Sequence, residues 1–345
     1  MTMPDPAADR KPANPSWLWA PYAVIALAFA GWSGVWFEIR NQVADALERT
    51  AARAHQQGLD LGWTDAAISG YPFRIDVVLT AAEIGEPSGW KLAAPKFKAV
   101  ANAFDLNHWV IAAEQGATLT RPNAGATAIS GPVLRMSWVG QGDAAPRIVV
   151  EGLKLSFAPQ PGAGPFPLSS VDRAVFYTRP QPDDQVEARL FLDGAVASPR
   201  SRLSALTGAA PMAVMWQGTL SHLSAFQGRD AGAAARRWSA AGGTLTTSLG
   251  GAAAGGRTLG VHSSQLGLDA DGRLTGDAQL EVKGGGDAIR ALGAVHAVNP
   301  LAAGLAASVL DTQGGASGKV RVDLSFPGGL ARFGPFPISP SPKLF

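Results

Sequence analysis

The chain has no cysteine in its 345 residues. Disulfides, thiolate metal sites and cysteine nucleophiles are excluded, so any folded body is held by its core alone. Charge is also scarce: Asp, Glu, Lys and Arg make up 16% of the sequence, and the formal net charge is +2. The only adjacent basic pairs are Arg10-Lys11 and Arg236-Arg237. Without a basic block, nucleic acid is not an expected partner. Catalytic spacings are missing as well. His55, His108, His222, His262 and His296 are scattered, and no His-Glu-x-x-His, Gly-x-Ser-x-Gly or P-loop pattern occurs. Asp183-Asp184 reads as a solvated turn and Gly284-Gly285-Gly286 as a turn before a helix. No catalytic residue, cofactor or metal is expected, and the chain is read as non-enzymatic.

One long apolar run is present. No charged residue lies between Lys11 and Glu38, and in 18–37 Ser33 is the only conventional polar side chain. A helix rises about 1.5 Å per residue, so twenty residues cover the roughly 30 Å of bilayer hydrocarbon. Trp17, Trp19 and Tyr22 at one end and Trp36 at the other suit the two interfaces. Ala28-Phe29-Ala30 fits a signal-peptide cleavage pattern, but the run continues past it and is longer than a usual signal core. A retained anchor is expected. Basic residues lie on both sides of the span, Arg10 and Lys11 before it and Arg40, Arg49 and Arg53 after it. Large domains translocate largely regardless of charge. The expectation is a single-pass protein of the inner membrane with its body in the periplasm.

Four segments follow: a disordered tail at 1–16, the anchor at 17–37, a helical stalk at 38–58 that Gly58 can stop, and a β-rich body at 59–345. In the body, Phe73, Ile75, Val77 and Leu79 alternate with Arg74, Asp76, Val78 and Thr80. Period two means a strand with one buried face. Similar segments recur at 96–104, 106–112, 126–139, 147–157, 170–178, 186–196, 212–220, 258–269, 273–282 and 319–326. Turn words separate them, among them Asp271-Gly272, and 41 Gly and 25 Pro suit many tight turns. The fold class is mainly β: a large antiparallel, curved sheet with a few short helices. Helical interruptions are expected at 224–241 and 287–311, the second divided by Pro300. An echo, Leu-Ser-Phe then Gly-Pro-Phe-Pro at 155–167 and again at 324–337, points to two related lobes, 59–180 and 181–345. The apolar stretch 126–138 would serve either a closed core or an open groove.

Several words are distinctive without being catalytic. They are Gly70-Tyr71-Pro72-Phe73-Arg74, Ala94-Pro95, Asn107-His108-Trp109, Gly131-Pro132, the run 268–276, and Gly334-Pro335-Phe336-Pro337-Ile338. Pro cannot donate to a ladder, so Gly131-Pro132 marks an edge or a bulge, and the proline-rich C-terminus should lie extended along an edge. Behind an N-terminal anchor, this ordered set resembles the DUF2125 family of uncharacterised alphaproteobacterial proteins over nearly the whole chain. The resemblance supplies no catalytic residues. Its layout is similar to AsmA-like envelope proteins, which implies an apolar groove associated with lipid handling. The expected partners are the inner membrane and a lipid or other apolar envelope component. The alternative is a scaffold that docks onto an envelope complex through an edge strand or the proline-rich tail.

Overall fold

The computed structural model describes residues 16–142, 144–199, 201–226, 230–296, 298–313 and 318–344. The expected tail lies outside them up to Pro15. Anchor and stalk form one continuous helix, α1 (Ser16–Gln56). Gly58 ends it in a left-handed conformation while the Leu59 N–H returns to the Ala54 carbonyl at 2.8 Å. Such a C-terminal cap favours glycine because no Cβ crowds the turn.

The body is an 18-stranded sheet in which every pairing is antiparallel. Its first strands are β1 (Asp60–Gly62), β2 (Asp65–Ser69), β3 (Arg74–Gly85), β4 (Lys91–Asn102), β5 (Asp105–Ala112), β6 (Ala117–Arg121), β7 (Gly125–Ser130), β8 (Val133–Gln141) and β9 (Ala144–Pro159). A meander continues through β10 (Leu168–Gln181), β11 (Gln185–Ala197), β12 (Met212–Leu220), β13 (Leu245–Ala254), β14 (Arg257–Leu268), β15 (Leu274–Lys283), β16 (Lys319–Ser325), β17 (Leu330–Phe333) and β18 (Phe336–Pro340). The main path runs β2-β3-β4-β5-β8-β9-β10 and on to β18. The β6–β7 hairpin bridges the start of β4 to the end of β9. The boundary 180/181 falls at the hairpin of β10 and β11, inside this continuous sheet.

The expected strand at 126–139 is split into β7 and β8 at Gly131-Pro132. A Cβ at Gly131 would meet the Leu153 carbonyl at 2.8 Å, so the chain passes close to β9 there. β13 had no clear signal because Gly250, Gly251 and three alanines carry little β propensity. Pairing with β12 and β14 on both sides holds it. The helical interruption at 224–241 reduces to a single turn at Leu223–Ala225 and α3 (Ala231–Ala240). A short α2 (Arg202–Thr207) was not foreseen. The second interruption is two helices divided before Pro300, α4 (Gly285–Ala294) and α5 (Pro300–Gln313). Gly284 caps α4, and a Cβ at Gly285 would press on Leu310 at 3.1 Å, so this glycine run serves close helix packing.

The core is distributed in clusters along the sheet. Trp36 of α1 packs on Ile75, Val77 and Ala103. Leu155, Val171, Ala195 and Met212 form the centre. Ile289, Ala303, Ala306, Ala307 and Leu310 of α4 and α5 pack on Val320 of β16. Spanning β10 and β11, the buried Glu187 accepts hydrogen bonds from Arg189 (2.7 Å), Arg179 (2.8 Å) and Gln181 (3.2 Å). Arg189 lowers its pKa most; burial opposes this, and Arg179 adds to the lowering. A carboxyl whose folded pKa lies below its unfolded one adds stability above the unfolded value, and that stability is lost as pH falls through the folded value. Glu187→Gln is expected to lower unfolding free energy by about 1–2 kcal/mol at neutral pH. The difference from wild type should shrink as acid unfolding is followed downward from the ordinary carboxylate range.

Candidate functional site

Trp32, Trp36, Ile39, Val43 and Leu47 recur every three or four residues, which places them on one stripe of α1. All five pack with Ile68, Ile75, Val77, Leu79, Leu106 and Trp109. At the lower end of this contact, the Trp36 indole N–H donates to the Arg74 carbonyl at 2.9 Å. The Trp32 indole donates to the Pro72 carbonyl at 2.9 Å. The Ser33 and Tyr71 hydroxyls share a hydrogen bond of 2.7 Å. Tyr71-Pro72 is a cis peptide, and Gly70 at φ +105° lets the turn close: a Cβ there would meet the Arg74 carbonyl at 2.7 Å. The word Gly70-Tyr71-Pro72-Phe73-Arg74 is thus the clasp that fastens the helix to the sheet.

Above the clasp the helix and sheet diverge into an apolar groove of about 820 Å³. Val43, Ala46 and Leu47 form its helical wall. Val77, Leu79, Leu92, Phe97, Ile111, Met136 and Trp138 form its floor. Trp109 lines it too, with its indole N–H turned to the Leu106 carbonyl at 2.8 Å so that the ring presents its apolar part. Polar groups stand at the rim: Gln42, Arg49, Thr50 and Glu83. Glu83 is paired with Lys91 at 2.5 Å. Arg49 has no ion-pair partner among the described residues.

The floor does not stop at the groove. Residues directly opposite in register share a face. One such row runs Val77, Ala99, Ile111, Met136, Val150 and Phe176. It continues Leu190, Trp216, Gly250, Val261, Leu280 and Val322. Twelve strands contribute one residue each, and none is charged or aliphatic-polar. Most are half-buried; Phe176 is 38% exposed. Val322, at the far end, packs against the α4–α5 cluster. The row therefore runs from the helix at one end of the sheet to the helices at the other.

Other signature residues are not gathered at the groove. Trp109 is in it, but its neighbour His108 points to the Ser137 hydroxyl (3.0 Å) on the exposed side. Gly131 and Pro132 divide β7 from β8. Gly334 and Pro335 make the β17–β18 turn, with Pro337 in β18. The tail is engaged internally: Ser341 is buried, its hydroxyl donates to the Leu274 carbonyl, and its carbonyl accepts from Arg273 at 3.1 Å. The two Gly-Pro-Phe-Pro words have different settings. Gly164–Pro167 is a non-strand approach to β10, tied by the Gly164 N–H to the Ala124 carbonyl and by Arg121 to the Gly164 carbonyl, where Phe166 stacks on Phe157, whereas Gly334–Pro337 is a hairpin. Asp184 is a tether, accepting hydrogen bonds from the Ser224 hydroxyl and N–H that lower its pKa. Among the described residues no group of three His, Asp or Glu could hold a metal ion.

A family model described as an uncharacterized protein conserved in bacteria (DUF2125) matches residues 36–342. The chain belongs to the DUF2125 family. No curated protein and no solved structure matches it. The DUF2125 match opens at Trp36, a buried residue of α1, and so takes in the upper clasp, the groove and the whole sheet. Residues before Trp36 fall outside it. They hold most of the stretch that makes α1 the one helix, among the described residues, long and apolar enough to cross a membrane.

Proposed function

We propose that this DUF2125 protein is a non-enzymatic, single-pass protein of the inner membrane whose periplasmic body takes up a lipid. The carrying observation is the apolar groove between α1 and the sheet, with its register row of apolar side chains. Its volume is that of a small-molecule site, roughly 300–1,000 Å³. Acyl chains are the natural occupant of a site with an apolar floor and a polar rim. Arg49 at that rim is available to a phosphate headgroup. The groove starts about 10 Å along α1 beyond Trp36, so a lipid enters it close to the membrane surface. The five histidines are dispersed, His108 and His262 on separate strands and His55, His222 and His296 at helix ends or in turns, which favours binding over chemistry. The scaffold alternative has less support, since the tail it would use is already pinned at Ser341.

A photo-crosslinking amino acid at Met136 in cells tests the choice. The expected product is a protein–lipid adduct, recognised by mass and by phosphate labelling. A stoichiometric protein–protein band instead of lipid would overturn the lipid reading in favour of the scaffold.

A further inference from the structure

The two hairpin turns of the clasp carry exposed aromatic side chains: Tyr71 and Phe73 between β2 and β3, and Phe104 between β4 and β5. They are 41%, 59% and 65% exposed. Phe104 stacks on Trp32 at 4.5 Å, and Phe73 lies against Phe104 at 6.4 Å. Tyr71 meets Phe29 edge-on at 6.0 Å. These helix partners lie inside the charge-free run. Trp32 is six residues and Phe29 nine residues before Glu38, the first charge. At about 1.5 Å per residue they sit about 9 Å and about 14 Å inside the end of that run. A membrane that accommodates the run of α1 must therefore also meet the two turns.

We infer that this corner of the sheet enters the bilayer, with Tyr71, Phe73 and Phe104 as interfacial wedges beside α1. The inference rests on the reading of α1 as a membrane anchor. The polar groups of the turns fit a site with little water. Backbone groups in lipid must be satisfied internally. Here the Pro72 and Arg74 carbonyls accept from Trp32 and Trp36, and the Tyr71 hydroxyl bonds to Ser33. The Phe73 carbonyl accepts from the Ala103 N–H, and the Phe104 N–H donates to the Asn102 side chain. Pro72 has no N–H to satisfy. Asp105 follows Phe104 directly and Arg74 follows Phe73, so penetration stops at the headgroup boundary, about 5–10 Å deep as for interfacial elements. Amphipathic aromatics prefer that level. The consequence is a body held at a fixed tilt by two contacts, with the base of the groove set beside the membrane surface.

The absence of native cysteine permits a direct test. Single-cysteine variants Phe73→Cys, Phe104→Cys, Ala28→Cys and Asp271→Cys of the full chain are labelled with an environment-sensitive dye. Each is reconstituted in phosphatidylcholine vesicles bearing nitroxide on the acyl chains. The expected result is blue-shifted emission and nitroxide quenching at Ala28, Phe73 and Phe104, with neither at Asp271. Quenching at Ala28 with both turn labels open to aqueous iodide would overturn the inference while leaving the anchor intact. Turn labels shielded from nitroxide and iodide alike would overturn it in favour of a protein contact. No quenching at Ala28 would overturn the anchor reading itself, and this inference with it.

Discussion

Trp36→Ala is expected to destabilise the protein by about 3–5 kcal/mol, the range for truncating a buried tryptophan. Trp36 is 3% exposed, packs on Ile75, Val77 and Ala103, and meets the Tyr71 ring edge-on at 5.3 Å. Its loss leaves a cavity at the base of the groove and an Arg74 carbonyl without its donor. Trp36→Phe separates the two effects. It keeps most of the ring and removes the hydrogen bond, which predicts a smaller cost of about 1–3 kcal/mol. Denaturant unfolding in mild detergent measures both. Proteolysis at the Gln57-Gly58 end of α1 should quicken most in the alanine variant, because the stalk is released from β3. Equal unfolding midpoints for wild type and Trp36→Ala would refute the clasp.

The second large effect is on binding. Ile111→Asp places a carboxylate in the middle of the groove floor, between Ala99 and Met136 in register. An unpaired charge there repels an acyl chain and must itself be kept hydrated. A penalty above about 1.4 kcal/mol is tenfold in affinity, so at least a tenfold loss of phospholipid binding is expected. Lys98→Glu is the matched control. Its side chain alternates to the other face of β4, opposite Ala112. It changes the charge by two units and should leave lipid binding within error. Displacement of a fluorescent fatty acid by phosphatidylethanolamine reads both variants on one scale.

Much of the architecture was readable in the residues. Alternation gives β3 with Ile75, Val77 and Leu79 on the face packed against α1, although Phe73 is exposed in the turn before β3 and Asp76 of the other face is buried as well; Met212–Leu220 is bounded as expected. Pro300 divides two helices, and Gly58 ends the stalk, because both act through their own backbone. The misses of β13, the groove and the clasp share a cause: the deciding contacts are distant in sequence. β13 is a strand because β12 and β14 flank it, although Gly250 and Gly251 argue locally against one. The groove is the gap between α1 and strands as distant as β8, so no local word encodes it. Gly70-Tyr71-Pro72-Phe73-Arg74 was visible as a signature, but its role depends on Trp32 and Trp36 some 38–40 residues earlier. Two tryptophans four apart at the end of an apolar run were the available signal. They also read as an ordinary membrane-interface belt, and that reading hid their task of capping carbonyls on the sheet.

The central claim is that the groove holds lipid, and native mass spectrometry of the full chain, released from gently solubilised membranes, tests it most directly. The account predicts a monomer peak accompanied by adducts of phospholipid mass that survive detergent removal and are absent from Ile111→Asp. A bare protein mass in wild type, unchanged after incubation with phospholipid, would contradict it.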